Sequence, residues 1–205
     1  MTRSVRRTPV QERAVQRRKR ILQAMAQLLG MLEYGAINIA EIAARAGTSV
    51  GSIYQFYPNR DAILYALAEA YLADLREASA GVVNDTSLTQ RQRAEQAVNW
   101  LLAYVDEHPG VLRMLGCSWV SADIERAAAE LHAGMTAMIE TVVESAAPDG
   151  EPAARHLAAE TILAASLGVI ADMARLDPKI RKAARQQLVR LITVYVDDLA
   201  RGSGS

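Results

Sequence analysis

The stretch NIAEIAARAGTSVGSIYQFYP, residues 38–58, constrains this chain more than any other. Asn38 can cap a short helix, Ile39 to Ala46, whose apolar side is Ile39, Ile42, Ala43 and Ala46. Gly47 closes it, Thr48 or Ser49 caps the next from about Val50 to Tyr57, and Pro58 ends that one. Two short helices joined by a tight glycine turn make a helix-turn-helix, whose second helix enters the major groove of DNA.

The residue types on that second helix fit the task. Ile53 with Phe56 or Tyr57 can anchor its inner face, leaving Val50, Gly51, Ser52, Tyr54 and Gln55 to point outward or sideways. Small residues near its start permit close approach to base edges. Gln55 can pair with adenine, Ser52 can donate or accept, and Val50 can touch a thymine methyl. The Tyr54 hydroxyl and Arg60 are candidate phosphate contacts. So are the free amides at the two helix starts, beside Asn38, Thr48 and Ser49. The competing reading is a surface hairpin whose aromatics fill the core.

Charge is neutral in sum but uneven in distribution. Residues 1–62 carry ten Lys/Arg and four Asp/Glu, whereas residues 63–205 carry 13 and 19. A basic head on an acidic body seeks a polyanion while the body is kept away from it. DNA, RNA and an anionic membrane surface all satisfy that condition. No apolar stretch reads as long enough to span a bilayer, which takes ~20 residues. The Arg-rich start lacks the apolar segment of a signal peptide. One cysteine, Cys117, excludes an intrachain disulfide and fits a reducing cytoplasm.

The remaining pattern is helical nearly throughout, so the fold class expected is all-α. Ile21, Leu22, Met25, Leu28, Leu29 and Leu32 recur at helical spacing, with Gly35 as the expected cap after Tyr34. A fourth helix opens near Arg60 and runs to about Ala78. Loop signals beyond it place helices near 88–107, 110–120, 123–146, 152–176 and 178–199, nine in all.

INIAEIAARAGTSVGSIYQFYPNRDAIL, with RRKRILQAM before it, resembles the DNA-binding domain of TetR-family transcriptional regulators over about residues 17–77. The resemblance implies a homodimer with three DNA-binding helices per subunit, a connecting fourth helix and a helical ligand-binding body. It implies base or groove contacts at Val50, Gly51, Ser52 and Gln55, and phosphate contacts at Tyr54 and Arg60. Two departures stand out: Val50 where a Lys is frequent, and Phe56-Tyr57 where a His or Tyr followed by Phe is usual. Phe56 then cannot make the polar backbone contact found there, a role left to Tyr57 if its hydroxyl is exposed. The division expected is a basic arm at 1–16, the DNA-binding domain with its linker helix at 17–77, a ligand-binding and dimerisation body at 78–200, and a flexible tail at 201–205.

Catalysis finds little support in the body. His108, His132 and His156 stand on separate segments, with neither HExxH nor Glu-x-x-His spacing, and His156 with Glu160 reads as an i,i+4 surface pair. No metal and no cofactor are expected. Trp100 and Tyr104 share a helix face, followed by Met114, Cys117 and Trp119, then Met135, Met138, Ile139 and Val142. Such residues can shape a pocket for a bulky, mainly apolar or aromatic molecule, although each taken singly is an ordinary core residue. For the dimer contact, Ala154, Ala158, Thr161, Ala165 and Gly168 form a small-residue stripe. Ala184, Leu188, Leu191, Ile192 and Tyr195 form an apolar one on the last helix, so that two helices from each subunit build a four-helix contact.

The sequence thus points to a dimeric, ligand-responsive repressor that binds a palindromic operator in double-stranded DNA and has no membrane partner. Its rivals are a DNA-binding dimer governed by another protein, and a helical enzyme with a basic head. Arg3, Arg6 and Arg7 precede the first helix and suit phosphate or minor-groove tracking. Deleting residues 2–9 is expected to weaken binding to every DNA sequence. The slope of log affinity against log salt should flatten by about 0.9 for each phosphate that the arm no longer neutralises; an unchanged slope removes the arm from the interface.

Overall fold

The computed structural model describes residues 9–83, 87–108, 110–115, 122–173 and 176–202, and among them every regular element is helical. Nine α-helices follow in order: α1 (Pro9–Met31), α2 (Ile39–Ala46), α3 (Val50–Tyr54), α4 (Arg60–Val83), α5 (Gln90–Glu107), α6 (Gly110–Leu115), α7 (Ala122–Ala146), α8 (Pro152–Met173) and α9 (Pro178–Gly202). A single 3-10 turn, Tyr34–Ala36, lies between α1 and α2. The candidate contacts Arg3, Arg6, Arg7, Cys117 and Trp119 lie outside the described residues.

Two compact units divide the chain at Glu69/Ala70 within α4: Met1–Glu69 with His108–Ala127, and Ala70–Glu107 with Ala128–Ser205. This differs from a cut near residue 77. The sequence pattern assigns α6 to the body, but α6 packs on α1 and buries Val111 and Met114 in the first unit. That unit's core is Ile21, Met25, Leu28 and Leu29 of α1, Ile42, Ala43 and Ala46 of α2, then Ile37, Ile53, Tyr57, Ile63 and Leu64. Their i, i+3/i+4 spacing is what turns each helix's apolar stripe to one side.

Gly35 does not cap α1. The helix ends at Met31, and the chain turns through Tyr34–Ala36 with Tyr34 buried. Gly47 does end α2, at φ 61° and ψ 45°, a left-handed conformation that glycine adopts without a Cβ clash.

In the second unit α5 packs on α9 and α8 on α9. Leu101, Leu102, Leu131, Met135, Val143, Leu163 and Val196 are among its buried side chains. Arg91–Asp197 (2.5 Å) and Arg185–Asp106 tie α5 to α9 from the solvent side; exposed pairs of this kind fix geometry more than they stabilise. α7 and α4 meet closely at Gly134, where an added Cβ would lie 2.6 Å from Leu72 Cδ2.

α8 passes as a membrane span by length and composition, with a mean hydropathy of 1.3 over its best 18 residues, contrary to the sequence expectation. Its alanines raise that value. Ala158, Ala159, Ile162, Leu163, Ile170 and Met173 are buried within the unit.

Candidate nucleic-acid interface

Both helices of the reading unit start on side-chain caps. Asn38 Oδ1 accepts from the Glu41 amide (3.0 Å) while Glu41 Oε2 accepts from the Asn38 amide (3.1 Å), a reciprocal capping box. Ser49 Oγ accepts from the Ser52 amide (3.1 Å) and lies 2.9 Å from Ser52 Oγ. Asn38 and Ser49 therefore act first as caps, and Ser52 is half-buried beside its partner. Each cap leaves amides of the first turn directed outward, where helix dipole and donors favour an anion.

Beyond the caps, Val50 (37% exposed), Gly51, Tyr54 (54%) and Gln55 are turned outward on one short segment. Thr48 is half-buried at its entry. A methyl group added to Gly51 would meet no described atom within 4 Å, so nothing inside the protein requires glycine there.

The sequence reading needs correction at two positions. α3 stops at Tyr54 rather than Tyr57, and the chain tightens into a turn there: the Phe56 amide donates to the Ile53 carbonyl three residues back (2.9 Å), which the Tyr57 amide shares (2.9 Å). The turn sends Tyr57 into the core, 3% exposed, with the Arg18 guanidinium 5.8 Å from its ring centroid. Its hydroxyl is buried and has no hydrogen-bond partner among the described residues, which argues against the DNA contact expected of it. Arg60 is also drawn inward. Its guanidinium donates to the Tyr34 carbonyl (3.1 Å) and the Ile37 carbonyl and stands 4.0 Å over the Tyr34 ring.

The expected pocket residues that the structure describes fall into separate groups. Trp100 stacks on Tyr104 with centroids 4.8 Å apart, and Tyr71 meets the Tyr104 edge at 6.0 Å. The Tyr104 hydroxyl donates to Asp74 (2.8 Å); burial first, then that carboxylate, pushes its phenol well above the ordinary value. Met114 is buried in the other unit and Met135 in the core. Met138, Ile139 and Val142 line a cavity, with Val98, Leu101, Ile162, Ser166, Ile192 and Val196 among its other walls. It measures about 20 Å³, room for roughly one water-sized sphere.

The expected dimer stripes are split, with Ala154, Thr161, Gly168 and Leu191 exposed. Ala158, Leu188 and Ile192 are buried in the subunit's own core, and Ala165 and Tyr195 are half-buried. The outward large apolar side chains of α8 and α9 are Leu157 (67%), Ile180 (56%), Leu191 (56%) and Val194 (49%). Leu191 and Val194 border an open groove with Val169, Ala184 and Gln187.

His156 does not pair with Glu160. Its Nδ1 faces Glu140 at 3.5 Å, whereas Glu160 takes hydrogen bonds from His132 (3.0 Å) and Thr136 (2.7 Å), which hold its carboxyl below the usual range. These contacts join α7 to α8. Among the described residues no group of three or more His, Cys, Asp or Glu could hold a metal.

A capped helix-turn-helix in one unit and an all-helical second unit define the class: a helical protein built around a DNA-reading motif. Residues 90–195 match the family profile described as tetracyclin repressor-like, C-terminal domain, and residues 21–67 that of bacterial regulatory proteins, tetR family. The chain belongs to the TetR family. It is similar to the nucleoid occlusion factor SlmA of Shewanella frigidimarina (strain NCIMB 400), 25% identical over 130 residues, which are 63% of this chain and 65% of that protein. The chain therefore spans less than two thirds of the length of that curated relative. The fold resembles the fatty acid degradation regulator FadR of Bacillus halodurans, with a TM-score of 0.73 at 15% identity over 94% of this chain and 96% of that one. It also resembles Bacillus subtilis FadR in complex with stearoyl-CoA, with a TM-score of 0.72 at 13% identity over 88% and 98%.

Replacing Tyr57 by Phe removes a buried hydroxyl without a partner. The variant is expected to gain about 1 kcal/mol in chemical denaturation and to bind DNA as the wild type does. Weaker DNA binding by a stably folded Tyr57→Phe would return the hydroxyl to the interface.

Proposed function

We propose that this chain is a transcriptional regulator that reads a specific DNA sequence through α3, acts as a dimeric repressor on a palindromic operator, and is released by a small, mainly apolar ligand. The observation that carries the DNA reading is the outward side of α3. There Val50, Gly51, Tyr54 and Gln55 stand clear of the core on a segment already satisfied by its own cap. The open side of Gly51 has no use within the protein and suits a backbone that must approach a groove closely. Charge agrees, since α1 carries Arg13, Arg17, Arg18, Lys19 and Arg20. Gln55→Ala is expected to relax discrimination at particular base pairs by roughly 1–3 kcal/mol, read by comparing selected and scrambled duplexes. Equal loss on both would remove Gln55 from base reading.

For the dimer, the outward side chains of α8 and α9 supply the contact, and a two-fold axis there would impose an inverted repeat on the operator. The double variant Leu191→Asp with Val194→Asp keeps the subunit core intact and places charge in that contact. It is expected to sediment as a monomer with little operator affinity. A stable dimer would place the contact elsewhere.

Support for an inducer comes from the stearoyl-CoA complex of the Bacillus subtilis neighbour and from the apolar cavity. The small volume of that cavity favours a second reading, in which the body answers to another protein rather than to a small molecule. The SlmA relatives, named nucleoid occlusion factors, keep that reading open. Trp100 fluorescence separates the two: an apolar compound that shifts emission should also release DNA, and a broad screen without one favours the protein partner.

A further inference from the structure

We infer that Arg60 is a positioning residue for DNA reading, clamping the connector between α1 and α2 to the start of α4. This rests on the DNA-binding reading given above. Arg60 is the first residue of α4, and its Nη1 donates to two carbonyls at opposite ends of the connector. One is Tyr34, where the 3-10 turn begins; the other is Ile37, directly before the Asn38 cap. The guanidinium lies 4.0 Å from the Tyr34 ring centroid, and the Tyr34 hydroxyl donates to Asp61. Two consecutive residues of α4 thus hold one buried tyrosine by its face and by its rim. Burial, reinforced by the Asp61 carboxylate, pushes the Tyr34 phenol well above its usual value, so it remains a donor at all physiological pH.

Chemistry favours this role over a phosphate contact. A guanidinium whose Nη1 serves two carbonyl oxygens and whose plane covers a ring is already oriented, and turning it outward would leave those inward acceptors without it. Lysine keeps the charge but has no planar fork to bond and stack together. The clamp also acts on the site. Ile37 precedes the capping box of α2, and α2 leads through the fixed Gly47 turn into α3. At the other side, Asn59 Oδ1 accepts from the Ala62 amide (2.8 Å) and fixes the entry to α4. Slack at Arg60 would therefore let the start of α2, with its outward amides, shift against α4.

The test uses the full chain carrying Arg60→Ala, Arg60→Lys or Tyr34→Phe, and a duplex recovered by in vitro selection with the wild type. A clamp predicts that both Arg60 variants bind about tenfold more weakly and Tyr34→Phe less severely so, all three with the wild-type salt slope. Faster amide exchange across Ile37–Ile42 in the free variants is the second expected result. The proposal is overturned if Arg60→Ala lowers the salt slope by about 0.9, Arg60→Lys restores it, and exchange stays at the wild-type rate. Should Arg60→Ala fail to fold, the other two variants decide the matter by the same readouts. If the wild type selects no DNA, the DNA reading itself fails; exchange in the free variants still tells whether the connector is clamped.

Discussion

The turn at Gly47 is the constraint on which the reading unit depends. With φ at 61° and ψ at 45°, its backbone sits in the left-handed region, which glycine adopts freely and most other residues only at a cost. Its amide and that of Thr48 both fold back onto α2, Thr48 donating to the Ala43 carbonyl at 3.0 Å. Those bonds satisfy carbonyls that the end of α2 would otherwise leave open. They also fix the direction in which the chain leaves. α3 begins three residues later on the Ser49 cap, so the turn sets where it starts. A five-residue helix has no stability of its own; it is held by the turn before it, by Ile53 in the core, and by Tyr57 behind it.

Tyr57 shows how local geometry decides which residues are free to act. Phe56 and Tyr57 share the Ile53 carbonyl, and the bond from Phe56, three residues on, tightens the chain after Tyr54. The outward segment is reduced to Val50, Gly51, Tyr54 and Gln55, and the core gains a tyrosine whose hydroxyl lacks a partner among the described residues. Arg60 repeats the lesson two residues past Pro58. The cation that a nucleic-acid surface would attract is held by carbonyls and a ring within its own unit.

Much of this was legible in the residues, and what was not has identifiable causes. Asn38, Gly47 and Ser49 each signal a helix end through the bonds that only their side chain or backbone can make, and all three behave so. The pattern extends α3 to Tyr57 because Ile53, Phe56 and Tyr57 fit both a helix face and a turn folded onto a core. Nothing in composition tells an arginine facing phosphate from one facing carbonyls. On α9, apolar residues lie on both sides, so spacing alone cannot tell Leu188 and Ile192, which face inward, from Leu191 and Val194, which do not. His156 has a glutamate four residues on, yet the partner across the α7–α8 contact wins. Pro9, at the first position of α1, is a helix-start signal that apolar spacing does not register.

The body poses a different physical problem. Its cavity is walled by apolar side chains and by Ser166, whose hydroxyl is spent on the Ile162 carbonyl at 2.6 Å. Such walls offer a ligand no hydrogen bond, so any polar group carried inside would be left unsatisfied, at a cost of roughly 1–3 kcal/mol. At about 20 Å³ the space admits no organic molecule without displacing side chains. Entry would then require an arrangement of α5, α7, α8 and α9 different from this one, with Met138 the most adaptable wall. A ligand that binds only the opened arrangement changes the balance of states by its full affinity for it, whereas one that binds both equally changes nothing. By chemistry alone, walls of this kind would accept an apolar group whose polar end stays outside more readily than a small polar molecule.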